Sequence, residues 1–246
     1  MKQWTWQTIM GFLMLGAVAL LSWQAGTLAA AGTLAVQSRE GEAVRRPVVV
    51  IDPGHGGRDP GKVGIDGQLE KDINLSIALR LKEYLEASDV DVILTREDDR
   101  GLYPEGERNK KMSDMKKRCQ IIKEADPDLA VSLHQNSYHE EHVSGGQVFY
   151  YKHSQKGKTL AEILQKRFNY VLGEKNSRQA KANGNYYLLL HVKAPIAIVE
   201  CGFLSNRAEA GCLQDKDYQD RMAWTVHMGI MEFLNREASG SLQTKD

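Results

Sequence analysis

The chain has 246 residues, of which 42% are hydrophobic, with 32 basic and 32 acidic side chains and a formal net charge of zero. This length suits one sizeable α/β domain together with a targeting segment. The charge balance provides no basic field for nucleic acid and no charged tract typical of a disordered tail. The three cysteines have unpatterned spacings, which argue against a disulfide framework, so we interpret them as small buried hydrophobes.

The first 31 residues predict a targeting segment. The stretch from Trp4 to Trp23 has no charged side chain, and the first acidic residue is Glu40. Such a stretch is typical of a secretory signal peptide or of an uncleaved membrane anchor. The alanines at 29–31 offer a cleavage site, whereas the tryptophans that bracket the apolar run favour an anchor. We therefore predict an exported chain, with both alternatives open, followed by a polar linker at 32–46.

The segment Val48–Gly64, VVVIDPGHGGRDPGKVG, joins a β-branched run to a glycine-rich turn. The run is typical of a central strand, which we predict over Pro47–Asp52. The glycines around His55 remove side-chain bulk, so backbone and ligand can approach the imidazole closely. The pattern leaves two interpretations, a tight turn with an incidental histidine or a metal ligand at the end of a core strand.

Strands alternate with helical patterns over the rest of the chain. Further core strands are predicted at Val90–Thr95, Leu129–His134, Gly146–Tyr151 and Ile196–Cys201. Helical periodicity is predicted over Glu70–Ser88, Ser113–Asp126, Gly157–Gly173 and Asp217–Asn235. This alternation predicts an α/β layered fold around a largely parallel sheet, in which sites gather at the carboxyl ends of the strands.

Three details of the helices are also predicted. Ser113 is a candidate N-cap, and Gly173 stands where a helix ends. The last helix should bury one apolar face, formed by Met222, Val226, Ile230 and Phe233 or Leu234.

Chemically capable side chains stand at the predicted strand ends. His55 follows the first strand, Arg96 ends the second, and His134 ends the third. Glu200 lies near the end of the last strand, and Glu70 lies just before the first long helix. Because the carboxyl ends of parallel strands meet at one edge of a sheet, we expect these five side chains to converge.

His55, Glu70 and His134 together match a common ligand set of catalytic zinc, two imidazoles and a carboxylate with water in the remaining position. The chain has no H-E-x-x-H helix to strengthen this assignment. Asn136, in VSLHQNS, is a candidate to orient a ligand or to bind substrate, with a simple turn residue as the alternative.

Glu200 places a carboxylate in the otherwise apolar run PIAIVECGFLSN. An unpaired buried charge there would cost several kcal/mol, so Glu200 needs a cation, a metal or a metal-bound water as its partner. A carboxylate beside such a water can act as the general base of hydrolysis and then as the acid for a leaving amine. The structural alternative is an ion pair with Arg96 or Arg118.

The motif HEEH at His139–His142 is also rich in potential ligands. Its histidines are spaced i, i+3 rather than the i, i+4 of a zinc-binding helix, and serine and glycine residues follow it. We interpret it as an exposed loop at the rim of the cleft rather than as a metal site.

The motifs IDPGHGG, LEKD, LTR, VSLHQNS and VECGFLSN occur in the order, and at roughly the separations, of the zinc-dependent N-acetylmuramoyl-L-alanine amidases of the amidase_3 type. The resemblance spans about Pro47–Asn235. It implies a mixed sheet flanked by helices and peptidoglycan as the substrate. It also implies one zinc ion held by His55, Glu70 and His134, with Glu200 as the catalytic carboxylate.

Within that family the chain is similar to the germination-specific amidases of spore-forming bacteria. The similarity rests on the single apolar segment near the N-terminus, the absence of a wall-binding repeat and the segment DDRGLYPEGERNKKMSDMKKR. It implies removal of the peptide from muramic acid during cortex synthesis, so that a peptidoglycan deacetylase can allow muramic-δ-lactam to form. The expected location is extracytoplasmic, in the cell wall or the forespore intermembrane space.

The resemblance also suggests how the chain is divided and what it binds. Residues 47–236 would form the zinc amidase domain and 237–246 a polar tail. Any regulator would be a separate activator protein, since no long helical insertion covers the cleft. No nucleic acid is expected as a partner, and the membrane is expected to be contacted only by the N-terminal segment.

Two questions stay open at the level of sequence. Arg96 and Arg118 are candidates to hold a peptide carboxylate of the substrate, with structural salt bridges as the alternative. An exported zinc peptidase that cuts within the stem peptide would use the same four residues as an amidase, and a non-catalytic wall-binding module is the second alternative.

Overall fold

The computed structural model describes residues 2–37, 45–173 and 176–243. Helix α1 spans Lys2–Gln37, and its stretch Ile9–Gly26 has a mean hydropathy of 1.6. This stretch is long and apolar enough to cross a membrane, a test that a signal sequence also passes. Helix α1 continues past residue 31, where the predicted targeting segment ends. Residues 38–44 of the predicted linker lie outside the described residues.

A six-stranded sheet forms the centre of the unit that begins at Arg46. The strands are β1 (Val48–Pro53), β2 (Asp91–Leu94), β3 (Leu129–Asn136), β4 (Gln147–Tyr151), β5 (Lys181–Asn183) and β6 (Ile196–Phe203). Their spatial order is β2-β1-β3-β6-β4-β5. All neighbours are parallel except β4 and β6, which are antiparallel. The predicted α/β fold around a mixed, largely parallel sheet is confirmed.

Helices cover both faces of this sheet. They are α2 (Glu70–Glu86), α3 (Lys110–Ala125), α4 (Gln155–Leu172), α5 (Tyr187–His191), α6 (Arg207–Gln214) and α7 (Lys216–Gln243). The larger core cluster joins the sheet to α2, α4, α6 and α7, and the smaller one joins it to α3 and α5. Both faces of the central strands are therefore buried, which explains their continuous apolar runs.

The alternation of side chains along each strand decides which residues face α3 and α5. In β1, Val49 and Ile51 belong to the larger cluster, whereas Val50 belongs to the smaller one. In β6, Ile198 belongs to the smaller cluster, so Glu200, two residues later, points to the same face. The site therefore lies on the α3 and α5 side of the sheet.

The apolar face predicted for the last helix is buried, with Met222, Val226 and Ile230 fully enclosed. Helix α4 ends at Leu172, and Gly173 follows with a φ of 68°. Both features agree with the sequence pattern. Helix α7 continues to Gln243 and so enters the segment predicted as a polar tail.

Three local predictions are wrong. Helix α3 begins at Lys110, and its N-cap is Asn109, whose side chain accepts the N–H of Met112, so Ser113 lies inside the helix. Strand β5 and helices α5 and α6 were not predicted, because each has eight residues or fewer and little apolar periodicity. Of the three cysteines only Cys201 is buried, whereas Cys212 is exposed.

Candidate active site

The carboxyl ends of three neighbouring strands bring the predicted side chains together. His55 lies two residues beyond the end of β1, and His134 lies near the end of β3. Glu200 lies in β6, directly opposite His134 in the parallel register. Glu70 is the first residue of α2, and its side chain is buried. The strand-end rule therefore accounts for His55, His134 and Glu200, and the start of α2 supplies Glu70.

His55, Glu70 and His134 are placed as ligands of one ion would be. Glu70 Oε1 lies 3.2 Å from His55 Nε2 and 2.9 Å from His134 Nδ1. One donor atom from each residue lies within 4.8 Å of the other two. A tetrahedral zinc site with bonds of about 2.1 Å separates its donors by roughly 3.4 Å. The donor types and their spacing therefore fit a zinc ion.

One side chain and two backbone N–H groups around this triad hold two of its members in place. Asp59 Oδ2 lies 3.0 Å from His55 Nδ1, which leaves Nε2 of the same ring facing Glu70. Glu70 accepts the backbone N–H groups of Lys62 (2.7 Å) and Gln135 (3.0 Å). Such outer partners orient metal ligands in proteins. Asp59 and Gln135 were not among the predicted site residues, because nothing in their spacing distinguishes them from ordinary loop and strand residues.

Two glycines permit the close packing of the triad. A Cβ on Gly54 would lie 2.2 Å from the imidazole of His134, and one on Gly61 would lie 2.5 Å from Glu70 Oε2. His55 itself has a φ of 63°, a left-handed conformation that residues other than glycine seldom adopt. The glycines of this turn thus allow the backbone to come close to the side chains of His134 and Glu70.

The two carboxylates of the site have opposite electrostatic environments. Burial alone would raise the pKa of Glu70, but hydrogen bonds and charge from His134 and His55 outweigh it and hold that pKa well below its usual range. Burial raises the pKa of Glu200 to about 7, and repulsion from Glu70 adds to the effect. One carboxylate is thus suited to hold a cation and the other to exchange a proton near neutral pH.

Glu200 forms no ion pair with any residue that the structure describes. Its side chain is 8% exposed, and its Oε2 has no hydrogen-bond partner among the described residues. Arg96 and Arg118, the two suggested partners, make their contacts elsewhere, as described next. A buried carboxylate held without a partner indicates a functional rather than a structural role.

Arg118 braces the loop that carries His55. Its guanidinium pairs with Asp52 (2.6 Å) and with Asp114 (2.5 Å), and it donates to the backbone carbonyl of His55 (2.5 Å). The Arg118 side chain is 2% exposed and four of its five N–H groups have protein acceptors, so the structural salt bridge is confirmed. The contact stabilises the left-handed backbone at His55.

The guanidinium of Arg96 is likewise engaged by protein oxygens. It is 4% exposed, and it donates to four backbone carbonyls, those of Pro53, Gly54, Lys71 and Asp98. Among the described residues it forms no ion pair, so neither the substrate role nor the predicted salt bridge describes it. Its role in the structure is to donate hydrogen bonds to backbone carbonyls at the end of β1 that would otherwise lack a partner.

Asp52 anchors this polar network, and its removal should be costly. Burial would raise its pKa, but the Arg118 charge and hydrogen bonds from Ser132 and Thr95 lower it to about 2 from 3.8. Asp52→Asn should therefore lower the free energy of unfolding by about 3–5 kcal/mol at pH 7, because it leaves a buried guanidinium without its partner. Urea denaturation of both proteins measures this difference.

The pH dependence of that difference has a defined sign. The ionised form of Asp52 stabilises the fold above pH 4, and this stabilisation is lost as pH falls from about 4 to about 2. The gap between wild type and Asp52→Asn should therefore shrink over that range. Asp217→Asn, on an exposed residue at the start of α7, should show no such gap. A gap that is constant with pH would contradict the assignment.

The remaining predicted residues lie at the margin. Asn136 borders the same cavity as the triad, and its Oδ1 accepts the N–H of Ser137, so its role stays a prediction. His139 and His142 are 71% and 79% exposed, and each pairs with Glu140. Within the described residues, only the triad forms a group of three that could hold a metal.

Comparison with known proteins agrees with this geometry. The N-acetylmuramoyl-L-alanine amidase family model, Amidase_3, matches residues 49–232. The chain is 36% identical over 193 residues to the germination-specific N-acetylmuramoyl-L-alanine amidase of Bacillus subtilis (strain 168), which covers 77% of this chain and 81% of that protein.

Solved structures show the same fold. The CwlD amidase of Clostridioides difficile, in complex with the GerS lipoprotein, matches with a TM-score of 0.75 and 39% identity over 77% of this chain and 99% of that one. The catalytic domain of CwlV, an amidase from Bacillus (Paenibacillus) polymyxa var. colistinus, matches with a TM-score of 0.67 and 31% identity over 77% and 98%. The chain therefore belongs to the N-acetylmuramoyl-L-alanine amidase family, Amidase_3, and is an enzyme that acts on peptidoglycan.

Proposed function

We propose that this amidase depends on zinc, which His55, Glu70 and His134 would hold, and that Glu200 transfers the proton. One observation carries the proposal. The three donor atoms lie within 4.8 Å of one another beside a buried carboxylate whose Oε2 has no hydrogen-bond partner among the described residues. The donor set of two imidazoles and one carboxylate favours zinc over the harder divalent ions.

The bond cleaved is the amide between the lactyl group of N-acetylmuramic acid and the amine of L-alanine. When bound, zinc would supply a Lewis acid for the lactyl carbonyl and for the attacking water. Glu200 accepts a proton from that water as the water oxygen bonds to the carbonyl carbon. Glu200 then gives the proton to the nitrogen of L-alanine as the C–N bond breaks, which leaves a lactyl carboxylate and a free amine.

The other residues prepare this chemistry rather than take part in it. Asp59 fixes the ring of His55, and the N–H groups of Lys62 and Gln135 fix the carboxylate of Glu70. Burial of Glu200 keeps water from solvating its carboxylate, so the proton is held and released near neutral pH. We assign this machinery to a catalytic domain at residues 47–236.

We further propose that the substrate is spore-cortex peptidoglycan. Support comes from the relative of Bacillus subtilis that is named for germination. Removal of the peptide would prepare muramic acid for a deacetylase and for muramic-δ-lactam formation. The apolar helix α1 is consistent with export or anchoring, which would place the enzyme outside the cytoplasm.

A separate activator protein is part of this proposal. The CwlD amidase, 39% identical to this chain, has been solved in complex with a lipoprotein. We propose that a comparable exported protein regulates this amidase.

One experiment tests both which amide bond is cleaved and whether the substrate is spore-cortex peptidoglycan. Cortex from spores that lack the protein should contain no muramic-δ-lactam. The zinc-loaded full-length chain, added to that cortex, should release peptides that begin with a free L-alanine amine, as mass spectrometry would show. Cuts inside the stem peptide would place the chain among peptidases, and lactam in the deletion strain would exclude the cortex role.

A further inference from the structure

A cavity of about 420 Å³ extends from the proposed catalytic centre. Its inner end includes His55, His134 and Glu200. One side is formed by three basic residues, Arg58, Lys110 and Lys111. The two lysines begin helix α3, and Arg58 lies in the turn after His55. We call Arg58, Lys110 and Lys111 the basic rim.

Within the described part of the chain the basic rim is not engaged in ion pairs, although Lys111 acts on Asp59 through its charge. Among the described residues, no ion pair involves Arg58, Lys110 or Lys111, and Lys110 only lies 5.6 Å from the ring centre of Tyr103. By contrast, Arg118, which also borders the cavity, and the nearby Lys71 both pair with aspartates. Three cationic side chains that form no direct ion pair can donate hydrogen bonds to an anionic group of a ligand in the cavity.

Four acidic residues also border this cavity, namely Asp52, Asp59, Asp114 and Glu200. Asp59 Oδ2 lies against His55, and its Oδ1 accepts the N–H of Gly61. Asp114 is paired with Arg118 and accepts the N–H of Leu102. Asp52 and Asp114 face Arg118 and Asp59 faces His55, so none of these three carboxylates forms an ion pair with the basic rim.

The rest of the lining suits a peptide rather than a free ion. Tyr186 and Tyr187 line the cavity together with Leu188 and Ile198. Tyr186 is 37% exposed, so its ring offers a surface for an extended chain. A ligand that matches this cavity has an apolar part and a carboxylate, and it lies close to Glu200.

We propose that the basic rim binds the free carboxylate of the residue that follows L-alanine in the stem peptide. This proposal rests on the proposed function, which places the amide of L-alanine at Glu200. The next residue of stem peptides is D-glutamate linked through its γ-carboxyl group, which leaves its α-carboxylate free unless it is amidated. Arg96 and Arg118 each direct four of their five N–H groups to protein oxygens, whereas no side-chain hydrogen bond to a described residue engages the basic rim.

The basic rim therefore makes the enzyme selective for the acid form of the peptide over the isoglutamine form. The two forms have the same shape and differ in one charge, so the difference in their affinity measures the electrostatic contact alone. We expect about a tenfold difference, which corresponds to roughly 1.4 kcal/mol.

Binding of two peptides to the full-length Glu200→Gln protein tests this selectivity. The probes are L-Ala-γ-D-Glu-L-Lys and the same peptide with D-isoglutamine, each titrated by calorimetry. The acid form should bind about tenfold more tightly. The double change Lys110→Gln and Lys111→Gln should abolish the difference and leave the affinity for the amide unchanged. Lys116→Gln with Lys117→Gln, two exposed lysines farther along α3, should preserve it.

Equal affinity of the two peptides, or a preference that survives Gln at all three rim positions, would overturn the proposal. Failure of either peptide to bind would overturn it as well. These measurements use a protein without its proton carrier, so they do not depend on hydrolysis. A wrong reaction assignment would instead appear in the cleavage products of the wild type.

Discussion

Replacement of Glu200 by glutamine should lower kcat by about 10³-fold or more, while zinc content stays that of the wild type. General acid–base catalysis typically contributes 10²–10⁴-fold, and here one group handles the proton twice. Glutamine has nearly the same volume but cannot accept the proton. Assays on peptidoglycan with mass spectrometry of the free amines, together with metal analysis, would measure both quantities.

The same substitution should not lower the thermal midpoint of unfolding. Glu200 is 8% exposed and its Oε2 has no partner among the described residues, so the neutral amide removes a source of instability. Glu140→Gln, in the exposed loop, is the matched control and should retain activity. If Glu200→Gln cleaved peptidoglycan at the normal rate, the assigned proton carrier would be wrong.

Replacement of His55 by asparagine should weaken zinc binding by more than about 100-fold and abolish turnover. Loss of an outer partner of a metal ligand alone typically costs 10–100-fold in affinity, and His55 is proposed as a ligand itself. Asparagine tolerates the left-handed backbone found at His55, so the turn should keep its shape. Zinc retained after dialysis, measured by plasma emission, reports the affinity.

His139→Asn supplies the control for that measurement. His139 belongs to the exposed HEEH loop and should keep both the zinc and the activity. Removal of zinc by a chelator should abolish the activity of the wild type. Added zinc should restore that activity, but it should not restore activity to the His55→Asn protein. A dialysed His55→Asn protein with one zinc per chain would show that the ion is held elsewhere.

The sequence was informative where a side chain conflicted with its surroundings. Glu200 interrupts an apolar run, and His55 stands among glycines at the end of a β-branched run. Both conflicts arise because a site at the end of a buried strand needs groups that packing alone would exclude. The parallel sheet then determines that such positions meet, which is why the fold and the clustering of the triad could be predicted together.

The sequence was uninformative where contacts depend on loop geometry. Asp59 reaches His55 only because the turn reverses direction between them, and an aspartate beside proline suits many turns equally well. For Arg118 the sequence left a substrate contact and a structural salt bridge open, and its guanidinium is enclosed by Asp52 and Asp114. Burial of an arginine depends on partners distant in the chain, which local periodicity does not contain.

The order of strands in the sheet also governs when the enzyme can first act. Strand β6, which carries Glu200, lies between β3 and β4 at the centre of the sheet, although it comes from the last quarter of the chain. Long-range parallel pairings of this kind form late in folding, because distant segments must first meet. Glu200 therefore takes its place beside His134 only when residues 196–203 have paired with β3, so a chain cut before Ile196 would keep the three ligand residues and lack the proposed proton carrier.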